Sequence, residues 1–268
     1  MKPFIKWAGG KGQLLTQLDA YLPENITNYA EPFIGGGAML FHIAPDNAAI
    51  NDYNFEVANL FVQIKDNCDR LIAELNQCRN TEKFFYRIRE WDRSASYTRR
   101  SALEKAVRIL YLNRTCYNGL FRKNSHDQIN TPFGHYAKMN FDIENIMECS
   151  QYLHDNNVQI FNMDFEPFID AQNNCFIYAD PPYFPEKATS FTSYSDMDWS
   201  GGGPQIRLKE ALERATQRGC QWMLSNSDTP FIHELYADYD IHIVRARRNI
   251  NSKGGGRGLV NEVVITNY

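Results

Sequence analysis

Asp180, Pro181, Pro182 and Tyr183 stand directly after an apolar run, Cys175 to Ala179. The run predicts a short buried strand, and two consecutive prolines forbid it to continue. A carboxylate and an aromatic ring are thereby held on a stiff turn at a strand's end, where open parallel α/β sheets bind ligands. The proline nitrogens carry no N–H, so their carbonyls are presented as acceptors without a competing donor. Asp180 and a proline carbonyl are matched to the two hydrogens of one –NH₂ group, and Tyr183 to stacking on the flat ring bearing it. Asp-Pro-Pro alone reads as a plain turn; the preceding strand and Tyr183 shift the reading to chemistry.

A second constellation lies earlier. Phe33, Gly35 and Gly37 fall between a short strand at Tyr29 and a helix opening at Ala38, and Ala48 to Asp52 reads as a second strand ending in an acid. Strand, glycine turn, helix, strand and acid form a βαβ unit suited to a nucleoside, with Asp52 on the ribose hydroxyls. A dinucleotide fingerprint counted from Gly35 needs a glycine at position 40, where Leu40 stands. Upstream, Gly10-Lys11 hints at a phosphate loop, but Ile5 and Gly12 occupy the places of its first glycine and its hydroxyl residue. Trp7 instead offers an aromatic wall and Lys11 a cation for a carboxylate. Leu14, Leu15 and Leu18 predict a helix over Gln13 to Tyr21.

Composition is that of a soluble globular chain: 268 residues, 43% hydrophobic and 22% charged, with no apolar stretch of membrane-spanning length. The amino terminus lacks a signal-peptide hydrophobic region, and six cysteines show no Cys-x-x-Cys spacing. Structural zinc and a disulfide scaffold are disfavoured, and a reducing cytoplasm is the expected home. The net charge of −4 hides an asymmetry, because residues 81–140 hold 12 Lys/Arg against 5 Asp/Glu. That local +7 suits an inserted polyanion-binding module; a solvated helix face explains the charge equally well.

These segments resemble the Dam-type, D12 class of adenine-N6 DNA methyltransferases. The carriers are Asp180-Pro181-Pro182-Tyr183, the Phe-x-Gly-x-Gly turn of Phe33, Gly35 and Gly37, and the Trp-Ala-Gly-Gly-Lys run from Trp7 to Lys11. Two more are the run from Asn113 to Arg122 and the Pro-Phe-Gly-x-Tyr run from Pro132 to Tyr136. The resemblance spans nearly the whole chain. It implies S-adenosylmethionine as cofactor, with Trp7 and Lys11 at its methionine end and Asp52 on its ribose. Asp164 would accept from the amine of its adenine beside Phe165, although a helix cap is the competing reading of Asp164. It implies no metal. Asp180, Pro181, Pro182 and Tyr183 would be catalytic, Asp180 also bordering the cofactor, on an adenine flipped out of duplex DNA.

The same resemblance makes Leu112 to Asn124 a target-recognition hairpin reading GATC. Arg122 would donate to guanine O6 and N7, Leu120 and Pro132 would pack on a thymine methyl, and Tyr117 would wedge into the space the adenine leaves. Asn118 would hold the orphaned base, with Arg114 in the same DNA-binding set. Taken alone, Asn118-Gly119 reads as a surface turn. Helical stripes fill residues 55 to about 112, with Val57, Leu60, Phe61 and Ile64 on one face. The expected fold is α/β, a Rossmann-like methyltransferase sheet with an inserted, mainly helical recognition domain. Residues 1–55 and 143–268 would form the catalytic domain and 56–142 the DNA-binding one. The chain is expected to act as a monomer on double-stranded DNA, in a restriction–modification, repair or regulatory setting. The rivals are a non-catalytic DNA-binding regulator and an amino-methyltransferase for RNA or cytosine N4. A serine- and glycine-rich loop from Phe184 to Gly203 suggests a lid, and the loop with Lys253 and Arg257 suggests a phosphate contact.

Overall fold

The computed structural model describes residues 1–7, 9–119, 122–124, 126, 128–185, 199–247 and 259–268. Leu120, most of the expected lid, and the loop with Lys253 and Arg257 lie outside the described residues. The strands are β1 (Asn28–Glu31), β2 (Asn47–Asn51), β3 (Gln159–Phe161), β4 (Phe176–Ala179), β5 (Gln221–Ser227), β6 (Asp240–Arg247) and β7 (Leu259–Thr266). The α-helices are α1 (Leu15–Leu18), α2 (Ala38–Ile43), α3 (Phe55–Asn76), α4 (Glu82–Arg89), α5 (Ala102–Thr115), α6 (Ile143–Asp155), α7 (Phe165–Asp170), α8 (Gly203–Gln217) and α9 (Pro230–Leu235).

The chain forms two compact units. The first comprises Met1–Gly10, Gly35–Ala44 and Asn54–Ile160, the second Lys11–Ile34, Pro45–Tyr53 and Phe161–Tyr268. Compactness thus divides the chain elsewhere than motif order does, since α2, α6 and the first ten residues join the helices.

The second unit is organised on a seven-stranded sheet of order β3-β2-β1-β4-β5-β7-β6. β1 pairs parallel with β2 and β4, β4 pairs parallel with β5, and β7 runs antiparallel between β5 and β6. This mixed α/β sheet is consistent with a methyltransferase fold. The strand order turns back at β1, whose neighbours are β2 and β4, and such a switch point opens a crevice at the carboxyl ends of the strands. Ile177, Ala179, Trp222 and Leu224 on the sheet pack with Leu208, Leu212, Ile232 and Tyr236 from α8, α9 and the residue after α9. The helix expected over Gln13 to Tyr21 is instead α1 flanked by 3₁₀ turns at Lys11–Gln13 and Asp19–Tyr21. Leu14 and Leu18 still bury, because the Leu18 N–H bonds the Leu14 carbonyl in an α-type turn that keeps residues four apart on one side.

The first unit is helical. The stripe on α3 buries as its period requires, with Val57, Leu60, Phe61 and Ile64 all at 0% exposure. Phe4 packs edge-on to Phe61, with ring centroids 4.7 Å apart. The amino-terminal segment has no strand partner, and side chains satisfy its backbone instead. Asn113 accepts from the Lys6 N–H and donates to its carbonyl, and Asn145 does the same for Lys2. α5 opens on a reciprocal cap between Ser101 and Glu104.

Candidate active site

At the end of β4 the chain stops pairing, as two prolines require, and Asp180 is left at the mouth of the switch point. The Lys11 ammonium lies 2.7 Å from Asp180 Oδ1, on a residue only 5% exposed. The same ammonium sits 4.7 Å over the centroid of the Tyr183 ring. Tyr183 donates its hydroxyl hydrogen to Glu262 Oε2 on β7, at 2.7 Å. Burial pushes the Asp180 carboxyl up to about 6; Lys11 opposes the rise and Glu262 adds to it. Burial and the neighbouring carboxylates push the Tyr183 phenol well above its usual range, so it remains a donor.

The turn after Asp180 is clasped from β5 and α8. Gln205 Nε2 donates to the Pro182 carbonyl, and Asn226 Nδ2 donates to Gln205 Oε1, each at 3.0 Å. Asn226 Oδ1 accepts from the Phe184 N–H at 3.1 Å, and Ser227 Oγ donates to the Phe184 carbonyl at 2.6 Å. Gln205 and Asn226 are wholly buried. Buried amides paired in this way favour one backbone geometry, because a shift strands a buried polar group. Of the two proline carbonyls, the clasp engages that of Pro182.

Asp52 follows the last residue of β2 and is held by its backbone. Its N–H donates to the Phe161 carbonyl at 3.3 Å, and Asn162 Nδ2 donates to the carbonyls of Asp52 and Tyr53 at 2.8 and 3.0 Å. Beneath it, buried Asn51 donates to the carbonyls of Pro32 and Met163 and accepts from the Met163 N–H, all at 3.0 Å. This one amide ties the ends of β1 and β2 to the turn after β3. Phe33 lies 5.4 Å from the Phe165 ring and 5.6 Å from Trp199. Asp164 caps α7, its Oδ1 accepting from the Glu166 N–H and from Arg207, both at 2.9 Å. The Arg207 guanidinium also lies over the Phe165 ring, 5.0 Å from its centroid.

The remaining expected residues belong to the first unit. Gly35 has φ +47°, and a Cβ there would come within 2.8 Å of Trp7 Cδ1, so the indole lies directly against the glycine backbone. Gly37 has φ +73°, with Phe61 and Phe41 ring atoms at 3.0 and 3.1 Å from its would-be Cβ. In the expected recognition hairpin, Tyr117 N–H donates to the Pro132 carbonyl at 2.9 Å, and the Asn130 N–H donates to the Arg122 carbonyl at 3.1 Å. Tyr117 is 55% exposed, Arg122 and Pro132 are exposed, and Asn118 adopts φ +57° in the turn. Arg114 differs: its Nε donates to the Phe4 carbonyl at 3.1 Å, and burial lowers its pKa. Its guanidinium anchors the amino-terminal segment.

Sequence reasoning assigned no role to Glu262, Gln205, Asn226 or Asn51. The available signal was polarity out of place: Glu262 precedes Val263, Val264 and Ile265, and Asn226 follows Trp222, Met223 and Leu224 within a buried strand.

The chain matches the family model for D12 class N6 adenine-specific DNA methyltransferases over residues 7–250. It is 41% identical to the type II methyltransferase M1.LlaDCHI of Lactococcus lactis subsp. cremoris, covering 100% of this chain and 96% of that protein. Identity is 37% to the type II methyltransferase M.MjaIII of Methanocaldococcus jannaschii, over 100% and 99% of the two chains. It is 32% to the DNA adenine methylase of Escherichia coli strain K12, over 98% and 94%. Among the described residues no helix is long and apolar enough to cross a membrane. With the family model covering both the glycine turn and the Asp180 turn, this chain belongs to the D12 class of N6 adenine-specific DNA methyltransferases.

Proposed function

We propose that the protein methylates N6 of adenine within GATC in double-stranded DNA, acting on a base flipped out of the helix. The observation carrying this reading is the Asp180 turn, with Lys11 on its carboxylate, Tyr183 tied to Glu262 and the Pro182 carbonyl engaged by Gln205. Adenine's amine is a weak nucleophile because its lone pair is delocalised into the ring. Asp180 Oδ2 and the Pro181 carbonyl would accept its two hydrogens and localise that pair on nitrogen. Tyr183 would stack on the ring, its orientation set by the Glu262 bond. Positive charge developing on nitrogen is stabilised by the Asp180 carboxylate, which also accepts the proton released.

S-adenosylmethionine, the methyl donor that the family implies, supplies an activated methyl group on a sulfonium. The residues present fit it: Asp52, directly after β2, would accept from the ribose hydroxyls, and Phe33, Phe165 and Asp164, grouped near the strand ends, would border its adenine. The parts of Trp7, Gly35 and Gly37 rest on the sequence pattern and on positive φ at both glycines, with the Trp7 indole against Gly35. Residues 56–142 would carry target recognition, with Arg122 on guanine. The test is methylation of unmethylated plasmid DNA followed by mapping of the modified base. Modified adenine within GATC is expected, and Asp180→Ala should abolish it while leaving DNA affinity, which comes mainly from phosphate contacts. Modification at cytosine, or a near-normal rate in Asp180→Ala, would refute this reading.

A further inference from the structure

Arg108, near the middle of α5, has a fully buried side chain and every donor employed. It pairs with Asp92 Oδ2 at 2.7 Å and with Glu56 Oε1 at 3.4 Å. It also donates to the carbonyls of Ile88 and Arg89 and to the Tyr97 hydroxyl. The two carboxylates do not end there. Asp92 Oδ2 accepts from the Ile129 N–H at 2.8 Å, and Glu56 Oε2 faces the Lys123 ammonium at 3.2 Å. Lys123 and Ile129 face each other as an isolated antiparallel bridge in the hairpin. Arg93 adds a bond to the Ile129 carbonyl at 2.8 Å, and Arg89 one to the Thr131 carbonyl at 3.3 Å. The held residues adjoin Arg122 on one arm and Pro132 on the other.

An apolar contact would stabilise the helices as well, because buried ion pairs repay little more than their desolvation cost. What they add is direction: Asp92 accepts from Arg108 and from the Ile129 N–H at once, so charge-assisted bonds of fixed geometry tie the hairpin backbone to the helix. We infer that Glu56, Asp92 and Arg108 are positioning residues that aim the recognition hairpin, so that base discrimination by Arg122 depends on a buried charge cluster that never touches DNA. The inference rests on the proposed role of the hairpin. A bidentate guanidinium–guanine pair discriminates only when both donors are aligned, and losing that alignment costs fivefold or more in selectivity, from about 1 kcal/mol upward.

The experiment is a methylation profile on a pool of duplexes randomised at the positions flanking one adenine, read by sequencing the methylated fraction. Parent, Arg122→Ala, Lys123→Met, Lys123→Arg and Asp92→Asn are compared. Lys123 is partly exposed, so its variants serve even where Asp92→Asn fails to fold. Lys123→Met and Asp92→Asn should flatten the profile at the base position that Arg122→Ala flattens, by about fivefold or more, and Lys123→Arg should restore it. Cofactor affinity measured by calorimetry should hold throughout. If Arg122→Ala flattens the profile while Lys123→Met slows all sequences alike and keeps the parent's preference, the positioning role is refuted. If Arg122→Ala itself keeps the parent's profile, the recognition reading falls and this inference falls with it.

Discussion

Methyl transfer by this protein should lose activity on acidification with a midpoint near pH 6. Asp180 must be ionised to accept an amine hydrogen, and burial raises its carboxyl to about 6. The sign follows from that direction. An acid whose pKa is raised is protonated at pH values where an ordinary aspartate is charged, so the active form is lost as pH falls through about 6. One unit below the midpoint about a tenth of the sites are ionised, so kcat/KM at pH 5 should be about tenfold below its plateau. An unperturbed aspartate would hold that plateau to below about pH 5. The assay is transfer of labelled methyl to a duplex oligonucleotide from pH 5 to 9 at subsaturating cofactor and DNA, with DNA affinity followed in parallel. Two variants identify the group. Glu262→Gln removes a like charge while keeping an acceptor for the Tyr183 hydroxyl, and should move the acid limb to lower pH. Lys11→Met removes the opposing cation and should move it higher. A flat profile between pH 5 and 7, or a limb unmoved in Glu262→Gln, would refute the assignment.

Asp52→Ala should weaken S-adenosylmethionine binding by roughly ten- to a hundredfold, since a charged acceptor for ribose hydroxyls is worth about 1.5–3 kcal/mol; unchanged affinity by calorimetry would remove Asp52 from the site. Gly35→Ala should lower the melting temperature and weaken cofactor binding, because its φ of +47° costs a Cβ about 1–2 kcal/mol and the indole of Trp7 must also move. An unshifted Tm would show that the turn tolerates a side chain. Asn226→Ala strands the Phe184 N–H and the Gln205 amide, so it should destabilise the fold by about 1–3 kcal/mol and lower kcat with little change in DNA affinity. Parent-like kcat would disconnect the clasp from catalysis.

What the sequence determined by itself was local in origin. Two prolines after an apolar run end β4 at Asp180 wherever the strand lies, and glycines at positions 35 and 37 announce a turn with positive φ before any partner is known. Periodicity placed α3 and α5, because burial on a helix repeats every three to four residues. The D12 resemblance was legible for the same reason, since its motifs are short and contiguous. Strand order decided the rest. Lys11 meets Asp180, and Glu262 meets Tyr183 from 79 residues away, through pairings that no sequence spacing encodes. The buried Asn51 and Asn226 look like ordinary polar residues near strand ends until the backbone groups that they satisfy converge. Arg114 shows the reverse: in sequence it sits within the recognition run, but packing brings the Phe4 carbonyl to its guanidinium. A side chain's chemistry is set by its type, whereas its partner is set by the neighbours that tertiary packing supplies.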